Sequence, residues 1–508
     1  MTKVFKAVFT LTIFSLIERV LGFFFKIYLS RELGASTLGV YQIALSFFFV
    51  LLSLTTSGLP LITGKMTAAY DVLGKKKNAH SLVSAGLIIN IAISAALCAI
   101  ILLMQGFLAN ILASGDSVYI LLLMLPALLF GAAGAAFRGS LWGREKYMSV
   151  SIIELAEQIA RIALCITFFL VGINKLEAAA ISLSAAMFVN ALLCCICYFM
   201  SGGKLRSPKG QLKPLLTSSV PVSGLRAASS LTGSIMAVII PMLFMASGLG
   251  KEAALSFFGA CVGMALPLLY IPVTVVGALA YTMIPTLSKA IATGDMKEVR
   301  RQINTAVAFA VIAGAIFIPV FYALGEPLGT YVFGSEQAGQ FLKLGGILIV
   351  PIALESIVSS MMNSLGLELR GFVNYMIGSA VMFAIMFCFY GRFTIDVLFW
   401  SLFVSLTLST VLDFIAIRKK TGASLGFIKS LLISSALAYP AVCIARWCYT
   451  LFAFTPELLN IALSGILGTL ALGALLFVFG LVDFGFVLNH RKKRKPQTGK
   501  RLAKLPAK

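Results

Sequence analysis

The sequence predicts an all-α integral membrane protein with about fourteen transmembrane helices. Of its 508 residues, 59% are hydrophobic and only 12% are charged, whereas a soluble domain usually carries about 25% charged residues. The chain also divides into fourteen apolar runs, each near the ~20 residues that a helix needs to cross a bilayer core. Finally, the loops between these runs alternate in their content of Lys and Arg. Together these observations exclude a soluble globular class.

The fourteen predicted helices are joined by short connections, which leave no room for a soluble domain or for enzyme chemistry outside the membrane. We expect these helices at 5–29, 38–63, 81–104, 118–141, 149–171, 178–200, 216–245, 254–284, 304–325, 338–362, 372–390, 394–417, 428–452 and 459–484.

The formal net charge of +22 is explained by topology rather than by nucleic-acid binding. Because cytoplasmic loops carry the excess of Lys and Arg, the charged loops and the basic tail place both termini in the cytoplasm. These loops are also expected to contact anionic lipids. The opposite side of the membrane receives few basic residues, namely Lys26, Arg31, Lys175, Lys251, Lys343 and Arg392.

Two pairs of short segments recur at a nearly constant offset, which predicts two related halves. "GLPLITGKMTAAYD" (58–71) resembles "TMIPTLSKAIATGD" (282–295), and "RGSLWG" (138–143) resembles "MNSLG" (362–366). Parallel repeats of this kind place a substrate path between two lobes that rock against each other.

The repeat divides the chain into four parts. We expect an N-terminal lobe of six helices (1–215), a C-terminal lobe of six helices (216–425), an appended helix pair (426–487) and a basic cytoplasmic tail (488–508).

Charged side chains inside the predicted helices are the main functional signal, since each costs roughly 2.5–3.5 kcal/mol at the bilayer centre on insertion scales. At 1.5 Å per residue, Arg19, Arg161 and Arg226 lie at similar depth near the midplane. A guanidinium keeps its charge and binds phosphate through two parallel hydrogen bonds. Lys26 follows Arg19 on nearly the same helix face. These four residues predict a cavity for an anionic headgroup, above all a pyrophosphate.

The acidic residues allow two interpretations, ion coupling or structural pairing. Glu157 precedes Arg161 by four residues, the favourable order for an ion pair on a helix, so Arg161 either contacts substrate or pairs with Glu157. The candidate acids are Glu18, Glu154, Glu157, Glu355 and Asp413.

Proline and cysteine usage adds two further expectations. Pro60, Pro267 and Pro272 are predicted to bend their helices, because proline removes a backbone hydrogen bond. The nine Cys lie in apolar runs, without a Cys-x-x-Cys pair and with only two His in the chain. We therefore expect buried free thiols, no metal site and no cofactor.

Four segments carry a resemblance to a known family. They are "LIERVLGFFFKIYLSRELGASTLGVYQ" (16–42), "SGLPLITGKM" (57–66), "FRGSLWGREKYMSVSIIELAEQIARI" (137–162) and "FFGACVGMALPLLYIPVTVVGALAYTMIPTLSKAI" (257–291). They resemble the polysaccharide transporter branch of the multidrug/oligosaccharidyl-lipid/polysaccharide (MOP) exporter superfamily, which is related to lipid II flippases.

The resemblance implies a fourteen-helix exporter with a central cavity that flips an undecaprenyl-pyrophosphate-linked sugar, here lipid II for spore-cortex peptidoglycan. Related lipid II flippases carry a Ser-Arg-Val-Leu-Gly-Phe segment with a cavity arginine, and "ERVLGF" (18–23) supplies Arg19 at that position. Their second cavity arginine follows six residues later, where this chain has Phe25 and then Lys26.

Three other functions compete with a flippase. A cation-coupled multidrug exporter of the same fold would favour an acid-rich cavity, and a membrane glycosyltransferase or ligase would need catalytic acids near a membrane face. A non-transporting scaffold for cell-wall synthesis proteins has no need of mid-bilayer arginines. We therefore expect a non-enzymatic, multi-pass protein of the bacterial cell membrane.

Overall fold

The computed structural model describes residues 2–481 except 113–114, 275, 278–286, 288–289, 292 and 424–426. Side chains are described over the same range except at 2–12, 15, 221–222, 225 and 427. The predicted basic tail, 488–508, lies outside the described residues. Within them the chain is all-helical, which confirms the predicted fold class.

Eighteen α-helices are numbered in chain order over the described residues. Their bounds are α1 (Thr2–Thr56), α2 (Gly58–Val72), α3 (Lys76–Leu103), α4 (Gln105–Ile111), α5 (Gly115–Gly143), α6 (Tyr147–Leu170), α7 (Lys175–Met200), α8 (Leu212–Ala246), α9 (Lys251–Phe258), α10 (Leu266–Leu269), α11 (Met296–Ala315), α12 (Ile318–Leu328), α13 (Glu336–Gly345), α14 (Ile349–Ser364), α15 (Glu368–Cys388), α16 (Ile395–Thr421), α17 (Phe427–Leu451) and α18 (Glu457–Val478). Gly259–Ala265 and Gly329–Phe333 are π-helical, and Gly346–Leu348 is a 3-10 turn.

Twelve helical stretches of the described residues are long and apolar enough to cross a membrane, so the predicted count of fourteen is not confirmed and stays a prediction. The first stretch, Leu16–Val72, has 57 residues, or roughly 85 Å of helix against a core of about 30 Å. Gly34 interrupts α1 there with φ 73° and ψ 167°. Helix α6 is not among the twelve, because Glu154, Glu157 and Arg161 lie within it.

The helices pack in two groups. Helices α1–α3 and α5–α7 form the N-terminal group, in which α5 packs against α1, α2, α3 and α7. Helices α9–α16 form the C-terminal group, and α17 and α18 pack together against α11 and α12. Helix α8 contacts α1, α2 and α3 as well as α9 and α15. The two groups therefore meet along α1 and α8, and the lobe boundaries at 215 and 425 stay a prediction.

A pair of glycines brings the two groups into backbone contact near the break at Gly34. A Cβ on Gly39 would lie 2.3 Å from the carbonyl oxygen of Leu255, and one on Gly259 would lie 2.0 Å from that of Ala35. Real Cβ atoms essentially never approach so closely. Only glycine therefore allows α1 and the 259–265 π-helix to close this end of the molecule.

Arg31 also links the two groups of helices at this end of the molecule. The side chain of Arg31 donates from Nε to the carbonyl oxygen of Val332 at 2.8 Å and from Nη2 to that of Tyr331. Within the N-terminal group of helices, Nζ of Lys175 forms a salt bridge with Oε2 of Glu32 at 2.6 Å. The contacts of Arg31 join α1 to the second π-helix and hold this end shut.

Helical hydrogen bonding is interrupted near the predicted bend prolines. Helix α1 ends at Thr56 and α2 begins at Gly58, and Pro60 has no N–H to donate to the Thr56 carbonyl. Pro267 lies in the first turn of α10, directly after a π-helix, and α10 gives way to a turn over 270–272 that ends at Pro272. These breaks let the helices that lie between the two groups change direction.

Candidate functional site

A cavity of about 960 Å³ lies between the N-terminal and C-terminal groups. Helices α1 and α6 supply its N-terminal wall, and the π-helix 259–265, the segment 266–277 and α14 supply the other. Three cations line it: Arg19, Lys26 and Arg161. Glu355 is the one acid among the described lining residues.

Helix α1 contributes two of the cations on one face. Arg19 and Lys26 are seven residues apart, which is close to two turns, and both side chains are exposed. Gly22 lies between them on this wall, and a Cβ there would lie 3.6 Å from Nε2 of Gln158. Among the described side chains no ion pair involves Arg19 or Lys26. Their charge is therefore available to a solute in the cavity.

Helix α6 contributes the third cation, held in a fixed orientation. Nη2 of Arg161 donates to the hydroxyl of Tyr41 at 2.9 Å, and its Cζ lies 5.3 Å from the centroid of the Phe25 ring. The buried Nε has no hydrogen-bond partner among the described residues. Tyr41 and Phe25 come from the two segments of α1. Arg161 is thus oriented by aromatic residues and keeps N–H groups for a ligand.

The possible ion pair between Glu157 and Arg161 is not formed. Glu157 instead accepts a hydrogen bond from Nδ2 of Asn190 on α7 at 2.7 Å. No salt bridge joins Glu157 to Arg161 in the described part of the chain. Of the two interpretations of Arg161, the geometry favours contact with a ligand.

The other acids of the N-terminal group are matched by an arginine that the sequence analysis missed. Nη1 of Arg138 lies 3.5 Å from Oε1 of Glu154, and its Cζ lies 5.7 Å from the Trp142 ring centroid. Glu18 is half-buried and interacts electrostatically with both Arg138 and Glu154. Arg138 lies inside the helix predicted at 118–141 but was counted with the basic loop that follows it, and α5 continues to Gly143. Two acids without an assigned base, Glu18 and Glu154, would have been the signal for it.

In the C-terminal group the two candidate acids have different surroundings. Glu355 is half-buried on the cavity wall, whereas Asp413 is buried and accepts a hydrogen bond from Nδ2 of Asn374 at 2.7 Å. Asp413 is absent from the lining of the cavity. The two carboxyl groups are near enough to interact electrostatically. Only Glu355 can therefore meet a solute directly.

Helix α14 also lines the cavity with a polar row that the sequence analysis did not single out. Its members recur at the helical spacing that marks one face. They are Ser356, Ser359, Ser360 and Asn363.

Arg226 does not line the cavity that holds Arg19. It lines a separate groove of about 630 Å³ between α1 and α8, which Tyr375 of α15 also borders. Phe49 lines both spaces. Counting residues along a helix gives depth but not the face on which a side chain emerges. The predicted set of three arginines is therefore divided, with Arg19 and Arg161 in one space and Arg226 in the next.

The cavity has a clear chemical preference. Three cations against one acid attract an anion. The parallel N–H groups of an arginine guanidinium match the geometry of two phosphate oxygens. Serine hydroxyls and an amide on the opposite wall can bond to sugar hydroxyls. A cationic solute would meet net repulsion there.

Comparison with known proteins finds two similar proteins of one organism. In Bacillus subtilis (strain 168), stage V sporulation protein B is 23% identical over 387 residues, which cover 73% of this chain and 75% of that protein. Lipid II flippase MurJ of the same organism is 22% identical over 371 residues, 66% of this chain and 67% of that protein. These matches confirm the resemblance seen in the sequence.

Solved structures share the fold. Lipid II flippase MurJ in an inward closed conformation has a TM-score of 0.72 at 14% identity and covers 94% of this chain and 99% of that one. An inward-facing multidrug resistance MATE family transporter of the MOP superfamily has a TM-score of 0.69 at 14% identity, covering 81% and 96%. Residues 4–291 match the family model described as polysaccharide biosynthesis protein. The chain therefore belongs to the polysaccharide biosynthesis protein family and has a MOP exporter fold.

Proposed function

We propose that this chain is a flippase that moves an undecaprenyl-pyrophosphate-linked sugar precursor, lipid II for the spore cortex, across the cytoplasmic membrane. The observation that carries the proposal is the cavity between the two groups of helices, with Arg19, Lys26 and Arg161 on its wall and one acid. Similarity to proteins named stage V sporulation protein B and lipid II flippase supports the same substrate class. The proposal involves no covalent chemistry and no cofactor.

The pyrophosphate is the part of the substrate that needs help in the membrane. It carries about two negative charges, and moving a single charge to the bilayer centre costs several kcal/mol. In the proposed mechanism Arg161, oriented by Tyr41, and Arg19 bind its oxygens, while Lys26 adds charge to the same wall. The polar row of α14 takes up sugar hydroxyls. The isoprenoid chain remains in the lipid.

Alternating access would use the closed end of the molecule as one of its two gates. The Gly39–Gly259 contact and the Arg31 hydrogen bonds join the two groups at that end. We assign this end to the outside of the cell, because the charge of the loops predicts cytoplasmic termini. Separation of the groups there, with approach at the cytoplasmic end, would release the headgroup outside. Basic cytoplasmic loops would contact anionic lipids, and cell-wall synthesis proteins are candidate partners.

Ion coupling is assigned to Glu355 rather than to the other acids. Glu154 faces Arg138, Glu157 bonds to Asn190, and Asp413 bonds to Asn374. Glu18 faces the same Arg138 and Glu154. Of these acids only Glu355 is among the described residues that line the cavity, where its protonation or cation binding would change the net charge seen by the substrate.

A cation-coupled multidrug exporter is the second candidate, because MATE transporters share the fold. The excess of positive charge in the cavity argues against cationic drugs. A non-transporting scaffold would not depend on the cavity charges at all. Complementation separates these functions in a B. subtilis strain that lacks stage V sporulation protein B.

In that strain we expect wild-type protein to restore cortex formation and the Arg19→Ala/Arg161→Ala double variant to fail at equal protein level. Restoration by the double variant would argue for a scaffold. Resistance to cationic dyes without cortex formation would argue for the drug exporter.

A further inference from the structure

The groove around Arg226 has the charge pattern of a ligand site. Arg226 is exposed, and its guanidinium makes no hydrogen bond, ion pair or ring contact with any residue that the structure describes. No acidic residue is among the described residues that line the groove. A single unmatched cation near the middle of α8 is expensive in a membrane unless an anion or water meets it.

Six of the eight hydroxyl groups among the described lining residues of the groove act as acceptors. Each hydroxyl has one proton and two lone pairs, and six of them donate that proton to a helix carbonyl, five at distances of 2.7–3.0 Å. Their oxygen atoms remain free to accept from a ligand. The six residues are Ser46, Ser53, Thr56, Ser57, Ser230 and Ser234.

This donor and acceptor pattern selects a ligand class. Without a carboxylate, the groove does not suit a metal cation. A pyrophosphate needs several donors, which the cavity with its three cations supplies and this groove does not. The groove fits one carboxylate on Arg226, attached to a group rich in O–H or N–H donors, such as a peptide or an acidic sugar.

The position of the groove links it to the cavity. Phe49 of α1 lines both spaces, which are therefore adjacent at this ring. We propose that the Arg226 groove is a second headgroup subsite, which binds the carboxylate-bearing part of the headgroup while the pyrophosphate lies in the cavity. This inference rests on the proposed function and adds that the protein distinguishes headgroups by their carboxylate.

Binding of two lipids to the purified full-length chain in nanodiscs tests the inference. One lipid is an undecaprenyl-pyrophosphate-linked disaccharide that bears a carboxylate-containing peptide, and the other is the same lipid without the peptide. We expect Arg226→Gln to weaken binding of the first about tenfold, as for loss of a hydrogen-bonded charge, and to leave the second unchanged. Arg19→Gln should weaken both. Arg446→Gln, on the appended α17, is the matched control and should weaken neither.

Each other outcome has a distinct meaning. Equal weakening of both lipids by Arg226→Gln, or no weakening of either, would overturn the carboxylate subsite. If the wild-type protein binds neither lipid, the proposed function itself fails. A lipid whose peptide carboxylates are all converted to amides should respond to Arg226→Gln like the peptide-free lipid. If Arg226→Gln weakened binding of this amidated lipid as much as that of the carboxylate-bearing lipid, the inference would also be overturned.

Discussion

At the scale of single residues, the hydrogen bond between Arg161 and Tyr41 explains how one cation is aimed into the cavity. We expect Arg161→Gln to lower binding of lipid II by tenfold or more, since a hydrogen bond to a charged group contributes about 1.5–3 kcal/mol. Tyr41→Phe, which removes only the hydroxyl at 2.9 Å, should cost less. Titration of fluorescent lipid II against each variant measures both effects. A larger loss for Tyr41→Phe would contradict this account of the site.

The separate partners of Glu157 and Arg161 give a second prediction. The Glu157→Arg/Arg161→Glu double reversal should remain as inactive as Arg161→Ala, because Glu157 bonds to Asn190 rather than to Arg161. A complementation assay with parallel measurement of protein level checks this result. Substantial recovery by the double reversal would show that the two charges act as a pair.

At the same scale, sequence and structure agree on some residues and not on others. Arg19, Lys26 and Arg161 line one cavity, and their binding of an anionic headgroup stays a prediction. Arg226 does not join them, because depth along a helix leaves its rotation undetermined. Arg138 was missed because it was counted with the basic loop after the predicted helix 118–141, although it lies within that helix and within α5. Partners such as Tyr41 and Asn190 depend on how helices pack, which local pattern does not encode.

At the scale of elements, the approach of α1 to the 259–265 π-helix depends on the absence of a side chain. Gly259→Ala would place a Cβ 2.0 Å from a backbone oxygen, whereas van der Waals contact needs about 3.5 Å. We therefore expect the two elements to separate by about 1 Å or more. Spin labels at Ser36 and Lys251 in a cysteine-free protein would report the change as a longer distance.

Gly106→Ala is the matched control, since nothing lies within 4 Å of a Cβ at that position. It should leave the distance between the labels unchanged. An unchanged distance in Gly259→Ala would show that this glycine does not hold the end of the molecule closed.

Element boundaries were predicted less well than element existence. The apolar runs located the helices, but α1 continues through a predicted loop at 30–37 with only Gly34 out of helical geometry. The helix breaks beside Pro60 and Pro272 follow from missing N–H groups. The π-helices have no signal in the apolar pattern, because they depend on the helices packed around them.

At the scale of the whole molecule, the proposed orientation gives a topology prediction. Single cysteines introduced at Lys76 and Lys419 in a cysteine-free background should react only with reagents that enter the cell. Cysteines at Lys175 and Lys343 should react with impermeant maleimide added outside, because these residues lie at helix ends opposite the basic loops. Outside labelling at Lys76 or Lys419 would invert the topology.

Fold class was accessible from composition alone, since a chain with so few charges must be covered by lipid. The number of crossings stays a prediction, because α6 forms where a helix was predicted at 149–171 but is too charged to count among the twelve apolar stretches. The residues to which we assign a function are those that disturb the apolar pattern. Their arrangement into a cavity and a groove emerges only when the two groups of helices meet.

Translocation of labelled lipid II in vesicles that contain only this protein tests the central claim most directly. We expect wild-type protein to move the headgroup across the bilayer, and Arg19→Ala to insert normally but to abolish this movement. Arg19→Lys should retain part of the movement, because lysine keeps the charge but cannot form the two parallel hydrogen bonds of a guanidinium. An equal rate of translocation by wild type and Arg19→Ala, at matched protein content, would contradict a pyrophosphate site in the cavity.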